Sequence, residues 1–256
     1  MNNLYLHNRL SLVQKIALAG LFIALITILQ KVVAINYIPV TPFVRISFGG
    51  CALLIFSSIL LGPWFGLVIG AFSDLLGYLV FDPKTLGFFP QITAIYALMG
   101  LISYFIFILV RFIKSARLMI IIEYGVFLAL AISTTLVVTL NDNLGSYHIE
   151  SWHKILIPIA TFSFFLILVI INFFTARYFS KKNDDRIYFN VYQVSFACFI
   201  IEVIVMIMFG TVMKGSAFGF DIYFAILISQ ILVAAFNIPI NTFLISYIMR
   251  LTKRLY

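Results

Sequence analysis

Six polar side chains stand inside stretches that are otherwise apolar enough to cross a bilayer: Asp74, Glu123, Glu202, Gln230, Asn237 and Asn241. A charge at the centre of a membrane helix costs about 2.5–3.5 kcal/mol on insertion scales, so each must face the protein interior, a partner or a wet cavity. Asp74 closes a ladder of small residues, Gly62, Gly66 and Gly70, with Gly77 a turn beyond. Four-residue spacing puts them on one helical face, where the glycines admit a neighbouring helix and the acid points into the protein. Asp74 lies about ten residues into its helix, ~15 Å along it, near the middle of a ~30 Å hydrocarbon core. Two uses fit it, a polar centre for a ligand and a structural hydrogen bond between helices. Arg45, at the outer start of the preceding segment, is a candidate partner.

On the last apolar segment Gln230, Asn237 and Asn241 fall at i, i+7 and i+11, one face of a 3.6-residue repeat that also contains Pro239. The proline removes the hydrogen bond to the Ala235 carbonyl and leaves an acceptor for a neighbour, water or ligand. Amides at this depth suit a neutral, hydrogen-bonding solute, and they serve equally as glue between helices. Glu202 is expensive in its segment unless protonated or paired, whereas Glu123, near a helix end beside Arg117, is expected to reach water. His148 and His153 flank Glu150 without the i, i+4 spacing of a helical metal pair, so no metal is expected. A G-x-x-x-x-G-K-[ST] phosphate loop, H-E-x-x-H and a nucleophile elbow are missing, which argues against an enzyme and against a cofactor. Any ATP that drives this chain must be hydrolysed by another.

The segments that position these groups dominate the composition: 63% of residues are hydrophobic, 10% are charged and the mean hydropathy is +1.13. Runs of roughly 20 apolar residues predict an all-α, multi-pass bundle with no sizeable soluble domain. About eight spans are expected, at 16–35, 46–61, 64–80, 90–112, 118–140, 155–176, 188–213 and 222–249. With the N-terminus inside, twelve Lys and Arg, from Arg9 and Lys15 to Lys253 and Arg254, lie on the cytoplasmic side. The outer side holds five: Lys31, Arg45, Lys84, Lys154 and Lys214. That bias predicts both termini in the cytoplasm, and it accounts for the net charge of +8 through anionic lipid with no need of nucleic acid. The first segment is too long for a secretory signal and lacks a cleavage site, so it reads as an uncleaved helix. Cys51 and Cys198 read as packing residues.

The outer loops are rich in Pro, Gly and aromatics: Pro39 and Pro42 in one, Asp82, Pro83, Lys84, Gly87, Phe88 and Phe89 in another. Such stiffness suits a ligand-facing lid and an ordinary helix connection alike. The second half suggests a duplication. Ile121-Ile122-Glu123 is echoed by Ile200-Ile201-Glu202, and Ile157-Pro158-Ile159-Ala160-Thr161-Phe162 by Ile238-Pro239-Ile240-Asn241-Thr242-Phe243, at offsets of 79 and 81 residues.

Three stretches share a pattern with one family. The first segment carries Ala17, Gly20 and Ala24; Val44-Arg45-Ile46-Ser47-Phe48-Gly49 opens the second; Leu61-Gly62-Pro63-Trp64-Phe65-Gly66 leads through Gly70 and Ala71 to Asp74-Leu75-Leu76-Gly77-Tyr78. With Phe88-Phe89-Pro90 ahead of the fourth segment, residues 16–113 resemble the substrate-binding S component of energy-coupling factor (ECF) vitamin transporters, most of all the folate-type members. Members have six spans, and residues 224–250 are similar to the last of them. The resemblance thus implies one integral membrane domain over 1–256, with an S-component-like body at 16–113 and about 186–250 and an inserted helix pair at about 115–183. It implies capture of a vitamin from outside, with folate the first guess. The protein would then topple in the cell membrane as an ATP-driven module engages the first helix. A transmembrane coupling subunit would dock on Ala17, Gly20 and Ala24, and two ATPase subunits would complete the assembly. The substrate residues implied are Arg45 for an anionic group, Tyr37, Phe88 and Phe89 for stacking, Asn237 and Gln230 for amide contacts, then Asp74 and Tyr78. An ion-coupled carrier built on the duplicated pair and Glu202, and a non-transporting scaffold, are the competing readings.

Overall fold

Ser11 opens the first helix by a reciprocal cap: its hydroxyl accepts from the Gln14 N–H at 3.3 Å, and the Gln14 side chain accepts from the Ser11 N–H at 2.9 Å. From there the computed structural model, which describes residues 10–33, 49–81, 88–144, 147–180 and 189–253, is helical almost throughout. The helices are α1 (Leu12–Lys31), α2 (Gly50–Leu61), α3 (Pro63–Phe81), α4 (Pro90–Arg111), α5 (Ala116–Leu140) and α6 (Ser151–Ser180). A continuous run follows, α7 (Val191–Ile201), a π-helical stretch (Glu202–Phe209) and α8 (Gly210–Phe218), and the described chain ends in α9 (Tyr223–Lys253). Seven of these spans are long and apolar enough to cross a membrane, and the 12-residue α2 is a shorter apolar helix beside them. The protein is an all-α, polytopic membrane bundle.

Glycine sets two of the joints. Gly62 (φ 100°) turns α2 into α3 with no linker, and Gly219 (φ 109°) ends α8 before a single 3-10 turn leads into α9. An unforeseen element is a two-residue hairpin between α5 and α6, strands β1 (Asn143–Leu144) and β2 (Tyr147–His148). Helix α6 begins earlier than expected and takes Lys154 into its first turns, where the ammonium donates to Asp142 at 2.5 Å. That contact holds the Asp142 carboxyl below the usual carboxylate range. Helix α8 runs five residues past the expected boundary, so Lys214, placed by the sequence in an outer loop, belongs to the helix and is partly buried.

The glycine ladder does what its spacing predicts, except at Gly62, which serves the turn. A Cβ on Gly70 would sit 2.2 Å from the Tyr96 carbonyl oxygen, one on Gly66 2.5 Å from that of Gly100, and one on Gly100 2.0 Å from that of Gly66. Helices α3 and α4 therefore meet backbone to backbone, which only glycine permits. Ser58 strengthens the junction by donating to the Gly100 carbonyl at 2.5 Å, and Thr27 of α1 donates to the Ser73 carbonyl at 3.1 Å.

Burial separates centre from periphery. In their most apolar windows α9 is 72% buried and the α7–α8 run 61%, against 22% for each of α5 and α6. Helices α7 to α9 pack on α2 and α4, whereas α5 and α6 lie against each other and against α7 and α9. The repeated sextets adopt one local structure. Thr161 and Thr242 each donate to the carbonyl four residues back at 2.7 Å, Ile157 and Ile238 are buried, and Phe162 and Phe243 are exposed. Both prolines lie inside unbroken helices. Both cysteines are buried, as expected of packing residues.

Gly70→Ala should force α3 and α4 apart and destabilise the bundle by about 1–3 kcal/mol. Gly20→Ala, where an added Cβ meets nothing within 4 Å, should be neutral. Thermal unfolding of the two variants in one detergent checks the contrast.

Candidate functional site

Two groups of polar and aromatic side chains stand out, and both are built by helix ends or helix irregularities. The first lies where α3 and α8 end and α4 begins, on the side with fewer cations. Asp74 is buried in α3 and accepts from the Thr93 hydroxyl of α4 at 2.7 Å. One turn on, Tyr78 packs against Phe88 with ring centroids 5.3 Å apart, and Phe89 packs against Phe218 of α8 at 4.7 Å. The glycine contacts hold α3 and α4 in the register that makes the Asp74–Thr93 pair, so the ladder and the acid are one device. The sequence brings four expected residues together here: Asp74, Tyr78, Phe88 and Phe89.

The second group lies deeper, between α7, α8 and α9. Glu202 is fully buried at the first residue of the π-helical stretch, and Asn241 donates to its Oε1 at 3.4 Å. The Asn237 amide lies beside the same carboxyl group, and Lys214 is within electrostatic reach of it. Four buried atoms of α8, α9 and the π-helical stretch have no hydrogen-bond partner among the described residues: Glu202 Oε2, Asn237 Oδ1, Thr211 Oγ1 and Gln230 Nε2. Gln30, buried in the last turn of α1, has neither Oε1 nor Nε2 partnered among them. Buried polar groups are rarely left so, because each forfeits its hydration without return. Carbonyl and carboxylate acceptors beside amide donors can bind a ligand that carries both.

Gln230 and Asn237 are thus interior, as expected, but Asn241 is committed to Glu202. Glu123 departs from its reading: instead of reaching water it is buried, because α6 and α7 close over it. Ser195 donates to its carboxylate, 2.9 Å from Oε1 and 3.1 Å from Oε2, and Asn172 donates to Oε1 at 3.0 Å. Arg45 and Tyr37 lie outside the described residues. Ala17, Gly20 and Ala24 form an exposed strip on α1. His148 pairs with Asn143 at 2.8 Å, and His153 accepts from the Glu150 N–H at 3.1 Å.

Thr211, Lys214 and Gln30 were not singled out in the sequence, and Glu202 entered there only as the acid of an ion-coupled carrier. At 100° per residue, Thr211 and Lys214 would stand roughly 180° and 120° around an α-helix from Glu202. The wider i→i+5 turns rotate less per residue, and over the eight residues of Glu202–Phe209 they return Lys214 toward the acid. No α-helical periodicity could have signalled this.

The profile of the family described as ECF transporter, substrate-specific component, matches residues 14–150, just over half of the 256. The chain belongs to that family. It is the substrate-specific component of a transporter. No characterised relative and no solved structure matches significantly. In this S component the matched stretch carries α1 to α5, and so the ladder, Asp74 and the exposed strip of α1. The helices that contribute Glu202, Gln230 and Asn237 lie beyond it.

Asn241→Leu removes the donor to Glu202 and leaves a buried carboxyl group short of a partner. It should cost about 1–3 kcal/mol of stability, with Glu202→Gln milder because a neutral amide is cheaper to bury. Unfolding in detergent measures the order of the two.

Proposed function

We propose that this S component captures a vitamin or related micronutrient, with a folate-like compound as first candidate, at the outer face of the cell membrane. The observation that carries the reading is the set of buried, unpartnered hydrogen-bonding atoms of Glu202, Gln230, Asn237, Thr211 and Gln30. Such groups are maintained in a bilayer protein at a cost in stability, and a solute with N–H donors and carbonyl acceptors repays it. Asp74, Tyr78, Phe88 and Phe89 supply a further polar and aromatic group between α3, α4 and α8. Arg45 and Tyr37 complete the substrate set, the arginine for an anionic carboxylate or phosphate and the tyrosine for stacking.

Release inward depends on partners. A transmembrane coupling subunit docks on α1 at Ala17, Gly20 and Ala24, where small exposed residues allow a foreign helix to approach closely. Two ATPase subunits drive the cycle. Six spans form the S-component body, α1 to α4 with the α7–α8 run and α9, while α5 and α6 are an inserted pair; their attachment to the body chiefly through α7 and α9 supports the division.

Mass spectrometry of small molecules retained by the gently purified protein should identify a vitamin. Arg45→Ala with Asn237→Ala should weaken its binding at least tenfold, the loss expected when interactions worth about 1–3 kcal/mol each disappear. Gly20→Trp should abolish co-purification with the coupling subunit and uptake while leaving solute affinity intact. Two buried acids are also what a proton-coupled carrier would need. Proton-dependent uptake by proteoliposomes holding this chain alone would replace the present reading with that one.

A further inference from the structure

A second polar centre lies at the other end of the bundle, where α5, α6 and α7 meet. A cavity of about 190 Å³ opens there, lined by Glu123 and Tyr124 of α5, Asn172 and Phe173 of α6, and Tyr192 and Ser195 of α7. It is smaller than the ~300–1,000 Å³ of ordinary small-molecule pockets, so it suits a small group and not a vitamin. Glu123 and Ser195 are buried, and so is Asn172, whose Oδ1 has no partner among the described residues. The orientation of that amide is fixed: its Nδ2 donates to Glu123 Oε1 at 3.0 Å and to Ser195 Oγ at 2.9 Å, so Oδ1 is left as its acceptor. Among the described residues no lysine or arginine pairs with Glu123. The site holds a carboxylate and an idle carbonyl oxygen beside two tyrosine rings. It is rich in acceptors and has no cation.

We propose that this seam binds a primary alkylammonium group. An ammonium carries three donors for Glu123, the Asn172 carbonyl oxygen and the Ser195 hydroxyl, and the faces of Tyr124 and Tyr192 attract its charge. The surroundings point to the ethanolamine headgroup of an aminophospholipid as the natural source, with a soluble amine as the other. Glu123 stands seven residues into α5, ~10 Å from its cytoplasmic end, just inside the headgroup layer. Arg111, Lys114 and Arg117 cluster at that same end, where a lipid phosphate sits. The turn that carries Arg111 and Lys114 is fastened to the pocket wall, since the Gln193 side chain, next to Tyr192, donates to the Ile113 carbonyl at 3.1 Å. A zwitterionic headgroup would thus meet cations at the mouth and the carboxylate within. The site is independent of which solute the outer centre takes.

Thermal stabilisation and native mass spectrometry of the full chain, titrated with phosphatidylethanolamine, phosphatidylcholine or ethylammonium chloride, test the assignment. Phosphatidylethanolamine should stabilise the protein and be retained, whereas phosphatidylcholine, whose quaternary nitrogen has no N–H, should not. Glu123→Gln, which keeps the shape but removes the charge, should weaken the preference at least tenfold with no change in solute affinity. If that variant does not fold, Tyr192→Leu, with the carboxylate intact, should weaken it severalfold. Equal stabilisation by ethylammonium would retain the ammonium site and assign it to a soluble amine. Indifference of the wild type to both amines, or equal retention of the two lipids, overturns the proposal.

Discussion

The hydrocarbon core of a membrane offers no water, so every polar group placed in it must be answered from within the protein. That constraint organises this bundle more than hydrophobic burial does, since lipid tails are as good a solvent for leucine as another helix is. It explains why so many hydroxyls fold back on their own helices. Ser57, Ser73, Ser103, Thr134, Thr161, Ser229 and Thr242 each donate to a carbonyl three or four residues earlier. Such hydroxyls are satisfied locally and leave the helix face free to pack. A carboxylate, which only accepts, cannot be satisfied that way, and the buried acids mark places where helices have to meet.

Two modes of meeting follow. Helices α3 and α4 approach until their backbones touch at Gly66, Gly70 and Gly100, and dispersion over a close contact replaces any hydrophobic drive. The second half of the chain uses polar seams instead. Glu123 is bound by Asn172 and Ser195 across α5, α6 and α7, and Glu202 by Asn241 across the π-helical stretch and α9. The two acids close the repeated tripeptides, and each finds an asparagine on the next long helix. The pairings are separated by 49 and 39 residues, so the likeness lies in the motif and not in the detailed register.

Much of this was legible from residue types and spacing. Apolar run lengths located the helices, and the four-residue glycine period identified the face on which α3 meets α4 and Asp74 turns inward. The failures have physical causes. Glu123 was read as wet from its distance to a helix end, because depth along one helix says nothing of what covers it; here α6 and α7 do. Lys214 was read as a loop residue because a cation usually ends an apolar run, yet its long stem lets the helix continue while the charge turns toward Glu202. The Glu202 centre stayed hidden because a π-helical stretch changes the period on which face assignments rest.

The position of α5 and α6 decides which faces of the bundle stay open. Helix α1 packs on α2 and α3, while α5 and α6 attach through α7 and α9 on another flank. The strip of Ala17, Gly20 and Ala24 therefore stays uncovered, flanked by exposed Leu21, Leu25 and Ile28. A pair inserted against α1 would have filled that face and lost the close approach that small residues permit. Beyond α7, helices α5 and α6 add exposed apolar surface and a second polar seam without covering α1. The separation works because α9, at 31 residues, is long enough to pack on α2 and α7 as well as on α6. The most buried helix is thus the one that lets both halves share a core while keeping their exposed faces apart.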